Sequence, residues 1–115
     1  MARLVRLEIA AVVVVALALL VYSRAGGAAS AKPVSHKVTI EGMQFQPDVV
    51  SVAQGDSIVW TNNDLFPHTV TAKSGAFDSH EIKAGESWTY RAAKSGEISY
   101  VCSLHPTMKA TLRVR

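Results

Sequence analysis

The chain has 115 residues, with 12 lysines and arginines against nine aspartates and glutamates, and one cysteine. This length allows one domain of ordinary size, and a single cysteine excludes a disulfide within the chain. Residues 1–31 hold three of the 12 basic and one of the nine acidic residues, which leaves nine basic and eight acidic residues in 32–115. A nearly neutral domain without a cluster of lysines and arginines is not typical of nucleic-acid-binding proteins.

Residues 1–31 have the pattern of a secretory signal. Two arginines precede the apolar residues 9–22, and a tail of small residues ends at Ala31. This pattern predicts a signal peptide that is cleaved after Ala31. The apolar stretch is short for a membrane helix, but the small residues that follow can extend it, so an uncleaved signal anchor is the alternative. In either case we expect residues 32–115 to be periplasmic, either free or anchored to the inner membrane.

From residue 34 onward, apolar and polar residues alternate with a period of two, which predicts β-strands. In chain order, the faces predicted to point inward comprise Val34, His36, Val38 and Ile40; Ile58 and Trp60; His68, Val70 and Ala72; Trp88 and Tyr90; Ile98, Tyr100 and Cys102; and Leu112 and Val114. Turn sequences that contain Gly, Asn or Asp separate these stretches. About seven to eight short strands, with no helix pattern after residue 31, predict an all-β sandwich or barrel.

The stretch YVCSLHPTM, residues 100–108, contains the single cysteine of the chain, and His105 and Met108 follow Cys102 at successive steps of three. A strand does not bring residues three apart to one point, because its side chains alternate between two faces. A tight loop can do so. We therefore expect a loop between a strand that ends at Cys102 and a last strand that begins at Ala110, with thiolate, imidazole and thioether around one metal ion.

A fourth ligand has to come from a neighbouring strand, and His68 is the candidate. Pro67 precedes it and restricts the backbone, which suits a metal site that must keep one geometry. His36 and His80 are interpreted instead as ordinary structural or surface histidines.

Two imidazoles, one thiolate and a weak thioether are the ligand set of blue copper. Zinc accepts one cysteine and two histidines but gains little from Met108. Two interpretations of Cys102 without a metal stay open: a catalytic nucleophile with His105 as its base, and an unpaired thiol that joins another chain or lies in the core. Both leave Met108 without a role other than filling the core, and a domain of this size offers little room for a substrate pocket.

The stretch NNDLFPHTV, followed by YVCSLHPTM and a closing strand, resembles the cupredoxins, the blue type 1 copper proteins. The Cys-x-x-His-x-x-Met spacing, with Pro directly after His, is most similar to the amicyanin and pseudoazurin branches. This resemblance covers nearly all of residues 32–115 and implies that they form a small Greek-key β-sandwich that binds copper. It also implies that His68, Cys102 and His105 are the equatorial ligands of one type 1 copper ion and that Met108 is the axial ligand.

The same resemblance implies an electron carrier and not an enzyme, which shuttles single electrons between a donor and an acceptor redox protein. It implies that His105 is the ligand nearest to solvent. Leu65, Phe66, Leu104 and Pro106 are candidates for an apolar patch around this histidine, through which the redox partners would dock. We expect the protein to act as a monomer and not to bind nucleic acid.

Two alternative functions stay open: a periplasmic protein for copper storage or delivery, and a copper subunit of a larger oxidoreductase complex. Delivery requires an open, exchangeable site, commonly with several exposed Met or His residues. Met43 is the only other methionine in residues 32–115.

One position departs from the cupredoxin pattern. Many cupredoxins have Asn directly after the first histidine ligand, where it ties the two ligand loops together, whereas this chain has Thr69. The hydroxyl of Thr69 can make a comparable hydrogen bond. Pro106 has no N–H, so one donor to the thiolate is missing from the ligand loop, and fewer such donors favour the oxidised state.

Overall fold

The computed structural model of the chain describes residues 32–115. The predicted signal peptide or signal anchor, residues 1–31, lies outside the described residues. Within the described part, no helix is long and apolar enough to cross a membrane.

Eight strands form two four-stranded sheets. They are β1 (Ser35–Glu41), β2 (Gln44–Gln46), β3 (Val49–Val52), β4 (Ser57–Asn62), β5 (Thr71–Ala72), β6 (Ser87–Arg91), β7 (Gly96–Cys102) and β8 (His105–Val114). One sheet has the order β2-β1-β4-β6 and the other has the order β3-β8-β7-β5. This architecture confirms the predicted all-β sandwich.

The core lies between the two sheets and follows the predicted alternation. Ile58 and Trp60 of β4 are fully buried. Tyr100 and Cys102 of β7 are at most 1% exposed. The indole N–H of Trp60 donates to the phenol oxygen of Tyr100 at 3.2 Å, so the polar atoms of these two large side chains satisfy each other inside the core. Burial by the opposite sheet raises the pKa of Tyr100 to about 12.

The two sheets differ from the predicted strands in three places. β2 and β3 were not predicted, because three and four residues are too few for a clear alternation. The predicted strand over residues 68–72 is reduced to β5, Thr71–Ala72, and an isolated bridge at His68. The last strand begins at His105 and not at Ala110, because β7 and β8 form a hairpin that pairs Cys102 with His105.

Candidate metal centre

Cys102 and His105 flank the tight turn between β7 and β8. The turn consists of Ser103 and Leu104, and the pairing is irregular at Val101 and Cys102. Cys102 and His105 are directly paired across the hairpin, and directly paired residues of antiparallel strands project from the same face, so their side chains point to the same side. The Sγ of Cys102 lies 3.8 Å from Nδ1 of His105. The end of the hairpin therefore brings Cys102 and His105 together, in place of the longer loop that the sequence predicts.

His68 reaches the same place from the segment before β5. Its backbone N–H donates to the carbonyl of Ile82 at 3.1 Å, and its carbonyl accepts the N–H of Ile82 at 2.7 Å. These two bonds hold the backbone of His68 at the end of the sandwich where β7 ends. The imidazole is fully buried, and its Nδ1 lies 3.7 Å from Sγ of Cys102.

The three side chains form a group that one metal ion can bridge. Their ligand atoms all lie within 4.8 Å of one another, and no other such group of His, Cys, Asp or Glu occurs in residues 32–115. Bonds of about 2.0–2.1 Å to nitrogen and about 2.3 Å to sulfur, the values for zinc, allow one ion to join atoms up to roughly 4.4 Å apart. The two nitrogen-to-sulfur distances of 3.7 and 3.8 Å lie inside that limit. Met108 lies further along β8 and is 3% exposed.

Thr69 joins the two segments that carry the cluster. Its side-chain oxygen accepts the backbone N–H of Ser103 at 2.8 Å, directly across the β7–β8 turn. Its own backbone N–H donates to Sγ of Cys102 at 3.3 Å. The hydroxyl of Thr69 thus makes the contact between segments that was expected of it, and the thiol sulfur has a donor from outside its own hairpin.

Two polar residues of the stretch NNDLFPHTV, Asn62 and Asp64, lie at this end of the sandwich, although the sequence pattern predicts no role for either. Asn62 is fully buried, and its side-chain amide donates to the carbonyls of Phe66 and Ile82 at 2.8 and 2.9 Å. Its side-chain oxygen accepts the N–H of Asp64 at 2.9 Å. Asn62 therefore fixes both the loop that leads to His68 and the segment that pairs with it.

Asp64 contacts the imidazole of His68 directly. The carboxylate Oδ2 lies 2.8 Å from Nε2 of His68, the ring nitrogen that does not face Cys102. Burial alone would raise the pKa of Asp64, but hydrogen bonds from the N–H groups of Met43 and Gly42 and from His68 outweigh it, and the pKa is lowered. Asp64 is therefore an anion beside the cluster at neutral pH. In the sequence, only the position of Asp64 on a loop, four residues before His68, could have indicated this contact.

The other two histidines of the described residues lie elsewhere, as predicted. His36 contacts the carboxylate of Asp56 at 2.9 Å, and the side chain of His80 is 87% exposed. The complete burial of Cys102 disfavours both an intermolecular disulfide and a nucleophile that has to meet a substrate.

Three large apolar side chains are exposed on the segments that carry the cluster. Leu65 is 89% exposed and Phe66 is 62% exposed, on the loop before His68, and Leu104 is 45% exposed in the turn before His105. His105 itself is half-buried, whereas His68 is fully buried. Of the two imidazoles, that of His105 is the one with access to solvent.

Comparison with known proteins was consistent with this geometry. A family model described as copper binding proteins of the plastocyanin/azurin family matches residues 32–115. Amicyanin-alpha of Methylorubrum extorquens is 29% identical over 85 residues, which cover 70% of this chain and 71% of that protein. The chloroplastic plastocyanin of Tetradesmus obliquus is 35% identical over 72 residues, 53% of this chain and 50% of that protein.

A solved structure shares the fold in part of a larger chain. The Cu-containing nitrite reductase NirK from Thermus scotoductus superimposes with a TM-score of 0.67 at 27% identity. The match covers 77% of this chain but only 24% of that one, so the fold also occurs as one part of a larger copper protein.

Proposed function

Because the chain belongs to the plastocyanin/azurin family of copper-binding proteins, we propose that it is a blue copper electron carrier. His68, Cys102 and His105 hold the copper ion, and Met108 is its axial ligand. The observation that carries this proposal is the convergence of one thiol and two imidazole nitrogens within 4.8 Å at the end of the sandwich. This is the equatorial donor set of type 1 copper sites.

Bound copper supplies a one-electron couple, Cu(II)/Cu(I), at this place. The protein supplies a site whose ligands are fixed before the metal arrives. The backbone of His68 is bonded to Ile82 on both sides, and Cys102 is bonded to Thr69. A site held in this way changes little between the two oxidation states, so that little rearrangement accompanies electron transfer. No acid, base or nucleophile is required, which supports a carrier and not an enzyme.

The exposed apolar side chains support a docking surface for redox partner proteins. Leu65, Phe66 and Leu104 flank the segments that hold the two imidazoles, and His105 is the ligand nearest to solvent. An electron would pass through the ring of His105 to a partner seated on this apolar patch. We place the protein in the periplasm as a monomer, free or anchored through residues 9–22.

The two alternative functions, copper storage or delivery and a copper subunit of a larger oxidoreductase complex, place different requirements on the metal site. Storage or delivery requires ligands that exchange easily, whereas Cys102 and His68 are fully buried. Met43, the additional thioether, is 39% exposed on the turn between β1 and β2, and a lone thioether is a poor capture site. Membership of a larger oxidoreductase complex is consistent with the nitrite reductase comparison, and it would leave the site chemistry unchanged.

The test is the visible spectrum of the purified protein after addition of Cu(II). An intense thiolate-to-copper charge-transfer band is expected, and Cys102→Ser is expected to abolish it. Ala110→Ser, which adds a hydroxyl at another buried position of the same hairpin, should keep the band. A pale wild-type protein, or colour that survives Cys102→Ser, contradicts the assignment. Rapid loss of Cu(I) to a chelator would instead favour delivery.

A further inference from the structure

The two ring nitrogens of His68 have different partners. Nδ1 faces the Sγ of Cys102 at 3.7 Å, and Nε2 lies 2.8 Å from the Oδ2 of Asp64. A carboxylate accepts hydrogen bonds and has none to donate, so Nε2 must carry the proton. The same tautomer leaves a lone pair on Nδ1, which is the form that binds a metal. Asp64 thus selects the tautomer that the proposed copper site needs.

Asp64 is itself held by the turn between β1 and β2. The N–H of Gly42 donates to Oδ1 at 2.8 Å, and the N–H of Met43 donates to Oδ2 at 3.0 Å. Both residues have a φ of 62°, the left-handed region, which glycine adopts freely and methionine rarely does. Two successive N–H groups presented by such a turn form a concave site for an anion. Here the anion is the carboxylate of the protein's own Asp64.

The side chain of Asp64 is 14% exposed and that of His68 is fully buried. A charge–imidazole contact in this position is little screened by solvent. The carboxylate makes the imidazole a stronger electron donor and adds a negative charge near the metal. Reduction of the copper adds one electron and removes one unit of positive charge, so a nearby anion stabilises Cu(II) more than Cu(I).

We propose that Asp64, fixed by the Gly42–Met43 turn, is a positioning residue that acts through His68 and lowers the reduction potential of the copper site. This inference rests on the proposed function. The competing explanation is that Asp64 only fastens the β1–β2 turn to the loop before His68. That role would affect stability but would leave the balance between Cu(II) and Cu(I) unchanged.

The main experiment measures the reduction potential of Asp64→Asn in the copper-loaded full chain. Asn has nearly the same shape but no charge, and it offers one acceptor oxygen in place of two. The ratio of Cu(II) affinity to Cu(I) affinity is expected to fall at least about tenfold, which for a one-electron couple is a rise of about 59 mV or more. Asp64→Glu, which keeps the charge, should give a potential closer to that of the wild type.

The matched control is Glu97→Gln, which removes the same charge at a distance. Glu97 lies near the start of β7, whereas Cys102 ends that strand, and its side chain is 62% exposed. The reduction potential of Glu97→Gln should equal that of the wild type. Equal potentials for Asp64→Asn and Glu97→Gln would overturn the inference.

A measurement on the copper-free wild-type protein applies even if Asp64→Asn does not fold. Nitrogen-15 NMR at neutral pH should show the proton of His68 on Nε2, in slow exchange with solvent, with Nδ1 unprotonated. A neutral ring that carries its proton on Nδ1, with none on Nε2, would overturn the inference. Because this measurement needs no copper, its failure is distinct from failure of the proposed function, which would appear as a wild-type protein without the charge-transfer band.

Discussion

The side-chain oxygen of Thr69 accepts the backbone N–H of Ser103 at 2.8 Å, across 34 positions of sequence. The same threonine donates its backbone N–H to Sγ of Cys102 at 3.3 Å. Through one residue, the segment that carries His68 is bonded to both the sulfur and the turn of the β7–β8 hairpin. The spacing between the proposed ligands on the two segments therefore depends on a residue that is not itself one of them.

Thr69→Val should weaken this connection. Valine has the shape of threonine but no acceptor, so the N–H of Ser103 loses its partner in a part-buried place. Loss of such a partner costs about 1–3 kcal/mol. We expect the free energy of unfolding of the copper-free protein to fall by that amount in urea denaturation, and copper affinity to fall roughly 10–100-fold, as is common for residues that support metal ligands.

The control for this prediction is Thr89→Val. Thr89 is an exposed residue of β6, so the same change of side chain should leave the unfolding free energy within about 0.5 kcal/mol of the wild type. If Thr69→Val loses no more stability than Thr89→Val, Thr69 does not hold the segments together.

The apolar patch leads to a prediction that requires no knowledge of the redox partners. If the proposed function is right, we expect two copies of the protein to exchange electrons with each other through the surface nearest to His105. Leu65→Lys places a positive charge on both copies at a side chain that is 89% exposed, so the fold is not disturbed. Like charges brought together at an interface oppose association. We expect the electron self-exchange rate, measured by NMR line broadening, to fall by at least about tenfold, which corresponds to about 1.4 kcal/mol.

Val49→Lys adds the same charge at another exposed apolar residue. Val49 lies in β3 and pairs with Thr111. Thr111 belongs to the part of β8 that is remote from His105. The electron self-exchange rate of Val49→Lys should stay close to that of the wild type. If the two lysine variants slow self-exchange equally, net charge is responsible and the patch is not the contact surface.

The sequence predicts the sandwich well because its larger strands each bury one face. Ile58 and Trp60 alternate with half-buried residues in β4, and this alternation is visible without a structure. β2 and β3 are too short for such a pattern. β3 is defined by its parallel pairing with β8, and pairing with a distant segment leaves no local signal.

The residues proposed as ligands were predicted from the sequence, but the contacts that support them were not. Cys102, His105 and Met108 are close in sequence, and their residue types indicate their chemistry. Asp64 matters only because the turn at Gly42 and Met43, more than 20 positions away, directs two N–H groups at its carboxylate. Hydrogen bonds between loops depend on the packing of the two sheets, which residue spacing does not reveal.

The acid stability of the domain should depend on Asp56. The backbone N–H of Val34, the imidazole of His36 and the N–H of Ala53 all donate to this carboxylate and lower its pKa from 3.8 to about 2. Because the folded-state pKa is below the ordinary value, the stabilisation is complete above about pH 4 and is lost as the pH falls towards 2. Asp56→Asn should therefore destabilise the protein at pH 5, and the difference from the wild type should shrink steadily towards pH 2.

Midpoints of urea unfolding between pH 5 and pH 2 measure this effect. Asp48→Asn, which alters an exposed carboxylate before β3, should stay parallel to the wild type over the whole range. A difference between Asp56→Asn and the wild type that is constant with pH would mean that the ionised and the protonated carboxyl groups of Asp56 stabilise the fold equally. In that case the hydrogen bonds from Val34, His36 and Ala53 would stabilise the fold independently of the charge on Asp56.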